Sequence, residues 1–379
     1  MSGIRAIAVG ADHYVPTFEV YLAGRPLERR LMRDVVQVTY HDHLEELDGF
    51  SLTVTNWDAD ALCFTYSEGD ELLPGKPLEL WLGYRGGLGL RPVIRGQISE
   101  LTPTFPSSGT STLAITGQSS LAGLQRRQEC RRYPGGQLVS DIFMQIAKFL
   151  AVEPVVDPGD RAVAPPLDEL VQHNEYDIVF LLRLARRTGY DLVLEEPPSG
   201  KGRPRLHLRP GPVVGTGELE LGYRGTGRNP VLIEFNPTFS TDRQTKRVVV
   251  QGWSLREKRK IKVVAERVEV PPADPPGFTG AIKGAVEGRD EVLVNHPISD
   301  EAEALRLARS TMARIKQRMI TATGRTIGHP DLRAGIGLQI VGVGQRFSGR
   351  YVVTSSEHSL GPNGYTTGFS CRREEVSGG

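Results

Sequence analysis

Two stretches of the chain repeat one pattern, and that repetition limits the fold more than any other feature of the sequence. LLPGKPLEL (72–80) and LRAGIGLQI (332–340) both read L-x-x-G-x-x-L-x-[LI], 260 residues apart. Leu72, Gly75, Leu78 and Leu80 match Leu332, Gly335, Leu338 and Ile340. Farther on, Arg91, Val93 and Ile94 match Arg350, Val352 and Val353 at nearly the same spacing. Each stretch then closes in a hairpin, RPVIRGQISELTPTFPSSGTSTLAITG (91–117) and GRYVVTSSEHSLGPNGYTTGFSCRR (349–373). Both hairpins are an alternating strand, a turn rich in Pro, Gly, Ser or Asn, and a second alternating strand. Any one match could come from shared turn chemistry between unrelated antiparallel segments. Four elements in the same order point to a duplicated unit.

The alternation extends through the first third. Phe18, Val20 and Leu22 alternate, as do Val36 and Val38, Phe50, Leu52 and Val54, and Leu78, Leu80 and Leu82. A period of two puts one face on a core and the other in solvent, and short strands spaced by turns suggest a small barrel or sandwich. The 43 Gly and 26 Pro in 379 residues agree with frequent turns. With 46 Lys and Arg against 45 Asp and Glu, no global field points to nucleic acid or an acidic substrate. Cys63, Cys130 and Cys371 stand far apart with no C-x-x-C, which argues against a zinc ribbon or a disulfide framework. No apolar run is long enough for a membrane span, and MSGIRAIAVGADHYVP lacks the apolar core of a secretory signal. The expectation is a soluble protein made in the cytoplasm.

A chain of this length suggests two to four domains. After YPGG (133–136), QLVSDIFMQIAKFL places Leu138, Ile142, Ile146 and Phe149 or Leu150 on one helical face. A second helix is expected in EYDIVFLLRLARRTG, with Asn174 as its cap and Gly189 as its stop. The strands YDLVLEE and PRLHLRP follow. A third section opens with NPVLIEFNPTF and RQTKRVVVQGW, and PPADPPGFTG (271–280) reads as an exposed, poorly ordered loop. In SDEAEALRLARSTMARIKQRMI, the residues Leu305, Ala308, Met312, Ile315 and Met319 form one stripe, predicting a helix that covers the second barrel or a subunit boundary. The expected organisation is a barrel over 1–125, an α+β module over 126–228, and a second barrel over 229–379. The last carries a long helix at 299–320 and a loop-rich insertion at 254–298. The fold class is mainly β with α+β insertions: two tube-like β-barrel domains related by duplication, plus the small middle domain.

Three blocks carry a family likeness. VQHNEYDIVFLLRLARRTGYDLVLEE resembles the Q-x-x-E-[ST]-D-x-x-F-L-x-R-L-A-x-x-x-G-[YI] segment of phage late control gene D proteins. Gln172, Glu175, Asp177, Phe180, Leu181, Arg183, Leu184, Ala185, Gly189 and Tyr190 fill it, with Tyr176 in place of the small hydroxyl residue. VVVQGW resembles the family's Gly-Trp strand. GRTIGHPDLRAGIGLQIVGVGQRFSGRYVVTSSEH resembles its last block through Gly328, Pro330, Leu332, Gly335, Phe347, Gly349, Tyr351 and His358. The likeness runs over about residues 15 to 373. It implies a homotrimeric hub of a contractile tail or injection system, similar to the N-terminal part of type VI spike proteins. Such a hub is seated between a hexameric inner tube and a trimeric spike. In a trimer, six duplicated barrels alternate around one ring. The chain stops at Gly379, so a separate spike protein is expected to supply the tip.

Candidate chemistry is sparse. Gly342, Gly344 and Gly349 in VGVGQRFSG do not meet G-x-G-x-x-G, and no helix is expected after them, so the reading is a turn. His41 and His43 share a strand face beside Glu45 without a third ligand at convincing spacing, which favours a solvated strand end over a metal site. REKRKIKVVAER (256–267) is the most basic stretch; alternating charge on an exposed hairpin explains it better than contact with nucleic acid passing as cargo. No G-x-S-x-G or H-E-x-x-H occurs. No catalytic, cofactor-binding or metal residue is assigned, and no cofactor is expected. The expected partners are two further copies of the chain, the tube protein, the spike and other baseplate proteins, and the expected place is the tail or released particle. The rival readings are a hub-associated peptidoglycan hydrolase and a glycan-binding module.

Overall fold

The computed structural model describes residues 15–373 except 45, 86–88, 120–126, 150–151, 157–168, 189, 196–201, 211–217, 225, 227–230, 255–256, 268–278, 295–297 and 299. The first half contains β1 (Val15–Leu22), β2 (Arg25–Pro26), α1 (Arg29–Asp34), β3 (Val35–His43), β4 (Gly49–Thr55), β5 (Trp57–Asp58), β6 (Cys63–Phe64), β7 (Pro77–Arg85), β8 (Leu90–Thr104) and β9 (Thr112–Ser119). Its long strands lie in the order β3-β4-β9-β8-β7-β1. Val38, Tyr40, Leu52, Leu78, Leu80 and Ile115 build its core, with their alternate neighbours facing out. The period-two signal in the sequence is this face.

The middle module contains β10 (Gln128–Tyr133), α2 (Val139–Ala147), β11 (Glu153–Val156), β12 (Leu170–Tyr176), α3 (Asp177–Thr188), β13 (Tyr190–Glu195) and β14 (Arg205–Pro210). Ile142 and Ile146 of α2 are buried with Phe180, Leu181 and Leu184 of α3. Phe149 stands outside that core, 73% exposed under the Arg131 guanidinium. Asn174 is not the cap of α3: it lies within β12 at φ 50°, and the helix starts at Asp177. Leu150 and Gly189 fall outside the described residues.

The last section contains β15 (Glu218–Gly222), β16 (Leu232–Phe239), β17 (Arg247–Ser254), β18 (Arg259–Glu266), α4 (Thr279–Val286), β19 (Asp290–Leu293), α5 (Glu301–Gln317), β20 (Ile320–Ile327), β21 (Gly337–Val341), β22 (Gly349–Gly361) and β23 (Gly364–Arg373). Six of these strands take the order β16-β20-β23-β22-β21-β15, and a bridge from Tyr223 to Leu232 brings the chain after β15 back to β16. The stretch 254–298, expected to be loop-rich, holds β18, α4 and β19, because Ile261, Val263 and Ala265 alternate into a small core. Most of 271–280 lies outside the described residues.

The expected helix at 299–320 is α5, bounded by Asp300, whose carboxylate accepts the Glu303 N–H at 2.7 Å. Its buried stripe is Ala304, Leu307, Ala308 and Met312, with Leu305 to one side. The stripe covers the β18-β17-β19 sheet and not the second barrel, which corrects the first of the two expected covers. Met319 lies past the helix in the barrel core. A helical stripe reports that a helix is covered, and one apolar sheet satisfies it as well as another.

The duplication is visible in the ladders. Strand order is the same over β3-β4-β9-β8-β7 and β16-β20-β23-β22-β21. Gly75 N–H donates to the Ile98 carbonyl at 2.7 Å and Gly335 N–H to the Val353 carbonyl at 2.8 Å. Ile98 and Val353 return bonds to Lys76 and Ile336, at 2.9 and 3.0 Å. Both glycines have positive φ, 91° and 84°, a region that penalises any Cβ. One register shift follows Ile98 and its counterpart follows Val353. A second pair lies at Val35/Gln37 and Leu232/Glu234. Shared bulges are positional features and not products of generic turn chemistry. They also correct the sequence alignment: Val353 corresponds to Ile98, not Ile94. The halves differ at one strand, since β1 runs antiparallel to β7 and β15 parallel to β21.

Candidate assembly edges and the seam between the halves

β22 belongs to both halves. Its start pairs with β21 (Gly337↔Val352 through Ile340↔Gly349), and beyond its bulge Ser355–Leu360 pairs antiparallel with β3, from Ser355↔His43 to Leu360↔Val38. The Leu44 N–H extends this ladder to the Thr354 carbonyl at 3.0 Å. The seam beneath it is polar. Arg333 Nε donates to Asp42 Oδ2 at 2.6 Å, and the guanidinium lies 4.8 Å from the Tyr40 ring centroid and bonds the Tyr40 hydroxyl. Asp42 also accepts the Ala334 N–H at 2.9 Å. Burial opposes the charge on Arg333, but Asp42 outweighs it and holds the guanidinium protonated. A buried ion pair with these added hydrogen bonds fixes orientation more than it adds stability.

His358 completes the seam. Its Nε2 lies 3.1 Å from the Leu332 carbonyl, which can only accept, so Nε2 carries the proton and Nδ1 accepts from the Tyr365 hydroxyl at 2.9 Å. Burial first, and then the nearby Arg333 charge, lower its pKa to about 3, so the ring is neutral. Tyr84 of the first half donates to the Gly328 carbonyl at 2.7 Å. A Cβ on Gly328 would stand 2.1 Å from the Tyr365 ring. Gly328, Leu332 and His358, singled out through the last family-like block, therefore work together at this joint. Sequence reasoning missed Arg333 and Asp42. One signal was present: within the repeat, a charge at Arg333 stands where the first copy has Leu73.

The motif at 172–190 is also structural. Gln172 donates to Asp177 Oδ1 at 2.9 Å and to the Glu175 carbonyl at 3.0 Å, while Arg183 forks onto Glu175 at 2.9 and 3.1 Å. Together they lock β12 to the start of α3. His41 lies 3.9 Å from Glu357 across the seam, Glu45 is outside the described residues, and among the described residues no metal-binding group forms. The basic stretch forms β18, with Ile261 buried and Arg259 bonded to Glu301 of α5 at 2.6 Å. Gly342, Gly344 and Gly349 form the β21–β22 turn. A shallow pocket on the middle module is lined by Arg131, Tyr133, Gln137, Lys148 and Phe149.

Two strand edges repeat the seam without its partner. β8 continues past its bulge as Glu100–Thr104, the part that corresponds to the β3-binding stretch of β22, and there, among the described residues, it pairs only with β9. β16 corresponds to β3 and ends the strand order of the large sheet. Ser356 and His358 are buried, whereas their counterparts are Leu101, half-buried, and Pro103, exposed. Leu73, the counterpart of Arg333, is 42% exposed.

This arrangement, two duplicated tube-like halves joined edge to edge around a small α+β module, is the fold of phage tail proteins and type VI secretion components. A 43 kDa tail protein from prophage MuSo2 of Shewanella oneidensis aligns with a TM-score of 0.70 at 14% identity, covering 95% of this chain and 98% of that one. A tail protein from Neisseria meningitidis MC58 gives 0.69 at 16% identity, covering 96% and 98%. The E. coli c3393 protein, described as a type VI secretion component similar to T4 tail proteins gp27 and gp5, gives 0.59 at 12%, covering 94% and 77%. No curated protein sequence matches the chain. The family model described as the Alg8 N-terminal domain matches residues 12–361, and the chain belongs to that family. Among the described residues no helix is long and apolar enough to cross a membrane.

Proposed function

We propose that this chain is a structural hub of a contractile tail or injection particle, of the kind built by late control gene D proteins. Three copies form a ring in which first and second halves alternate. The ring presents a quasi-sixfold face to a hexameric tube and a threefold face to a spike. It is an adaptor and not an enzyme, assembled with the particle's other baseplate proteins and located in the tail. The observation that carries this reading is the duplication itself. One chain supplies two equivalent tube-like units, joined by an edge ladder that can be repeated between chains, so threefold closure yields six similar positions. The tail-protein fold supports it.

Light scattering of the purified chain, alone and with a candidate spike protein, tests the reading, followed by negative-stain imaging. The expected result is a trimeric ring that binds the spike. A monomer in both samples refutes it, and clearing of peptidoglycan in a zymogram would favour the hydrolase.

A further inference from the structure

We infer that the second-half edge of one copy docks on the first-half edge of the next through a ladder of fixed register, sealed by apolar side chains where the internal seam uses charge. The inference rests on the ring reading and adds the partner surface to it. Carrying each seam residue to its counterpart through the shared glycines and bulges gives the pairing: Leu101 opposite Phe239, Thr102 opposite Thr238, Pro103 opposite Pro237, and Thr104 opposite Asn236. In the internal seam the same positions are Ser356 with Asp42, Glu357 with His41, His358 with Tyr40, and Ser359 with Thr39.

The chemistry changes consistently on both sides. Arg333 becomes Leu73, Asp42 becomes Phe239, Tyr40 becomes Pro237, Ser356 becomes Leu101 and His358 becomes Pro103. A charged pair on one edge alone would leave an unpaired ion at the contact; here both members are replaced together, and the surfaces still match. Leu73 is 42% exposed, Pro103 is exposed and Pro237 is half-buried, as expected of an apolar surface awaiting cover, while Phe239 is half-buried against the core of its own half. The occupant is a second copy of this chain, because the covering residues required are those its other edge carries.

The prolines fall at hydrogen-bonding positions of the ladder. The Leu44 to Thr354 bond fixes the phase of the internal ladder, so Tyr40 and His358 turn their main-chain groups toward each other. Pro237 and Pro103 hold those positions at the free edges. Each leaves its edge without a donor there, which discourages stray strand pairing. Facing each other, they leave no N–H unsatisfied but two carbonyls without a ladder donor, and the flanking pairs supply the bonds. A shift by two residues would set each proline against a residue whose N–H still finds the proline carbonyl, so the side-chain match and not the prolines selects the register.

Cysteine pairs test the register in the full chain, with exposed Cys63 and Cys130 changed to Ser and buried Cys371 kept. Thr102→Cys with Thr238→Cys takes the outward-facing positions of Glu357 and His41. Under diamide most of the protein is expected to run as covalent dimer and trimer on a non-reducing gel, reversed by thiol. Thr104→Cys with Thr238→Cys, two residues out of register, is expected to give at least several-fold less. Leu73→Arg is expected to abolish the trimer while leaving the melting temperature of the monomer unchanged. Adding Phe239→Asp, which rebuilds the ion pair of the internal seam, is expected to recover a trimer that dissociates in high salt. A trimer by light scattering that fails to cross-link at 102/238, cross-links better at 104/238, or survives Leu73→Arg overturns the seam and leaves the hub reading standing. A chain that stays monomeric with its spike overturns both.

Discussion

Arg333 reaches Asp42 across 291 residues of sequence, Nε to Oδ2 2.6 Å, and the pair is closed over by Tyr40. Among the described residues neither charge forms a second salt bridge. Arg333→Met therefore leaves a buried carboxylate unpaired and is expected to cost about 3–5 kcal/mol. Adding Asp42→Asn should recover part of that loss. Urea unfolding of the two variants decides whether the seam depends on the pair or on packing alone.

His358 gives the joint a pH dependence. Its pKa falls from 6.5 to about 3 on folding, so as pH drops the unfolded chain takes up the proton first. The stability from the neutral ring is complete above pH 6.5 and is lost progressively toward pH 3, at up to about 1.4 kcal/mol per pH unit. His358→Gln should flatten that part of the stability curve, measured by urea unfolding between pH 7 and 4.

The paired turns offer a symmetric test. Gly75→Ala and Gly335→Ala each force an L residue into the left-handed region, at about 1–2 kcal/mol apiece. Nothing lies within 4 Å of a Cβ at Gly75, so backbone strain alone accounts for its loss. Chemical denaturation should show similar losses for the two. A neutral result at either would mean that the turn relaxes.

On α5, Met312→Asp places a carboxylate against the β17–β18 sheet. The lost burial is worth roughly 1.5–3 kcal/mol and the unpaired charge adds to it. Hydrogen exchange should rise in β17 and β18 while the barrel strands keep their protection. Lys260→Glu, on the exposed side of β18, should leave both unchanged.

What the sequence revealed follows from how local each signal is. Alternation at Phe50, Leu52 and Val54 is set by neighbours two residues apart, so the strands could be read directly. Gly75 and Gly335 were legible because positive φ selects glycine. The match of Ile94 to Val353 slipped by four residues because β8 is longer ahead of its bulge, and a bulge leaves no mark in composition. The stripe on α5 announced a buried helix face but not which sheet covers it. The seam was the least legible part: Asp42 sat inside HDH, where the histidines drew the chemical reading, and its partner lay near the other end of the chain.

The sharing of β22 between halves also determines how the joint would carry force. A load sliding one half along the strands past the other strains the six β3–β22 pairs together, as rungs in parallel. A load peeling the halves apart opens them one at a time from an end. The Arg333–Asp42 contact holds the end near Ser355–His43, and Gln37 Nε2, donating to Ser359 Oγ at 3.2 Å, holds the end near Leu360–Val38. The joint is stiff in shear, and against peeling it relies on a side-chain clasp at each end.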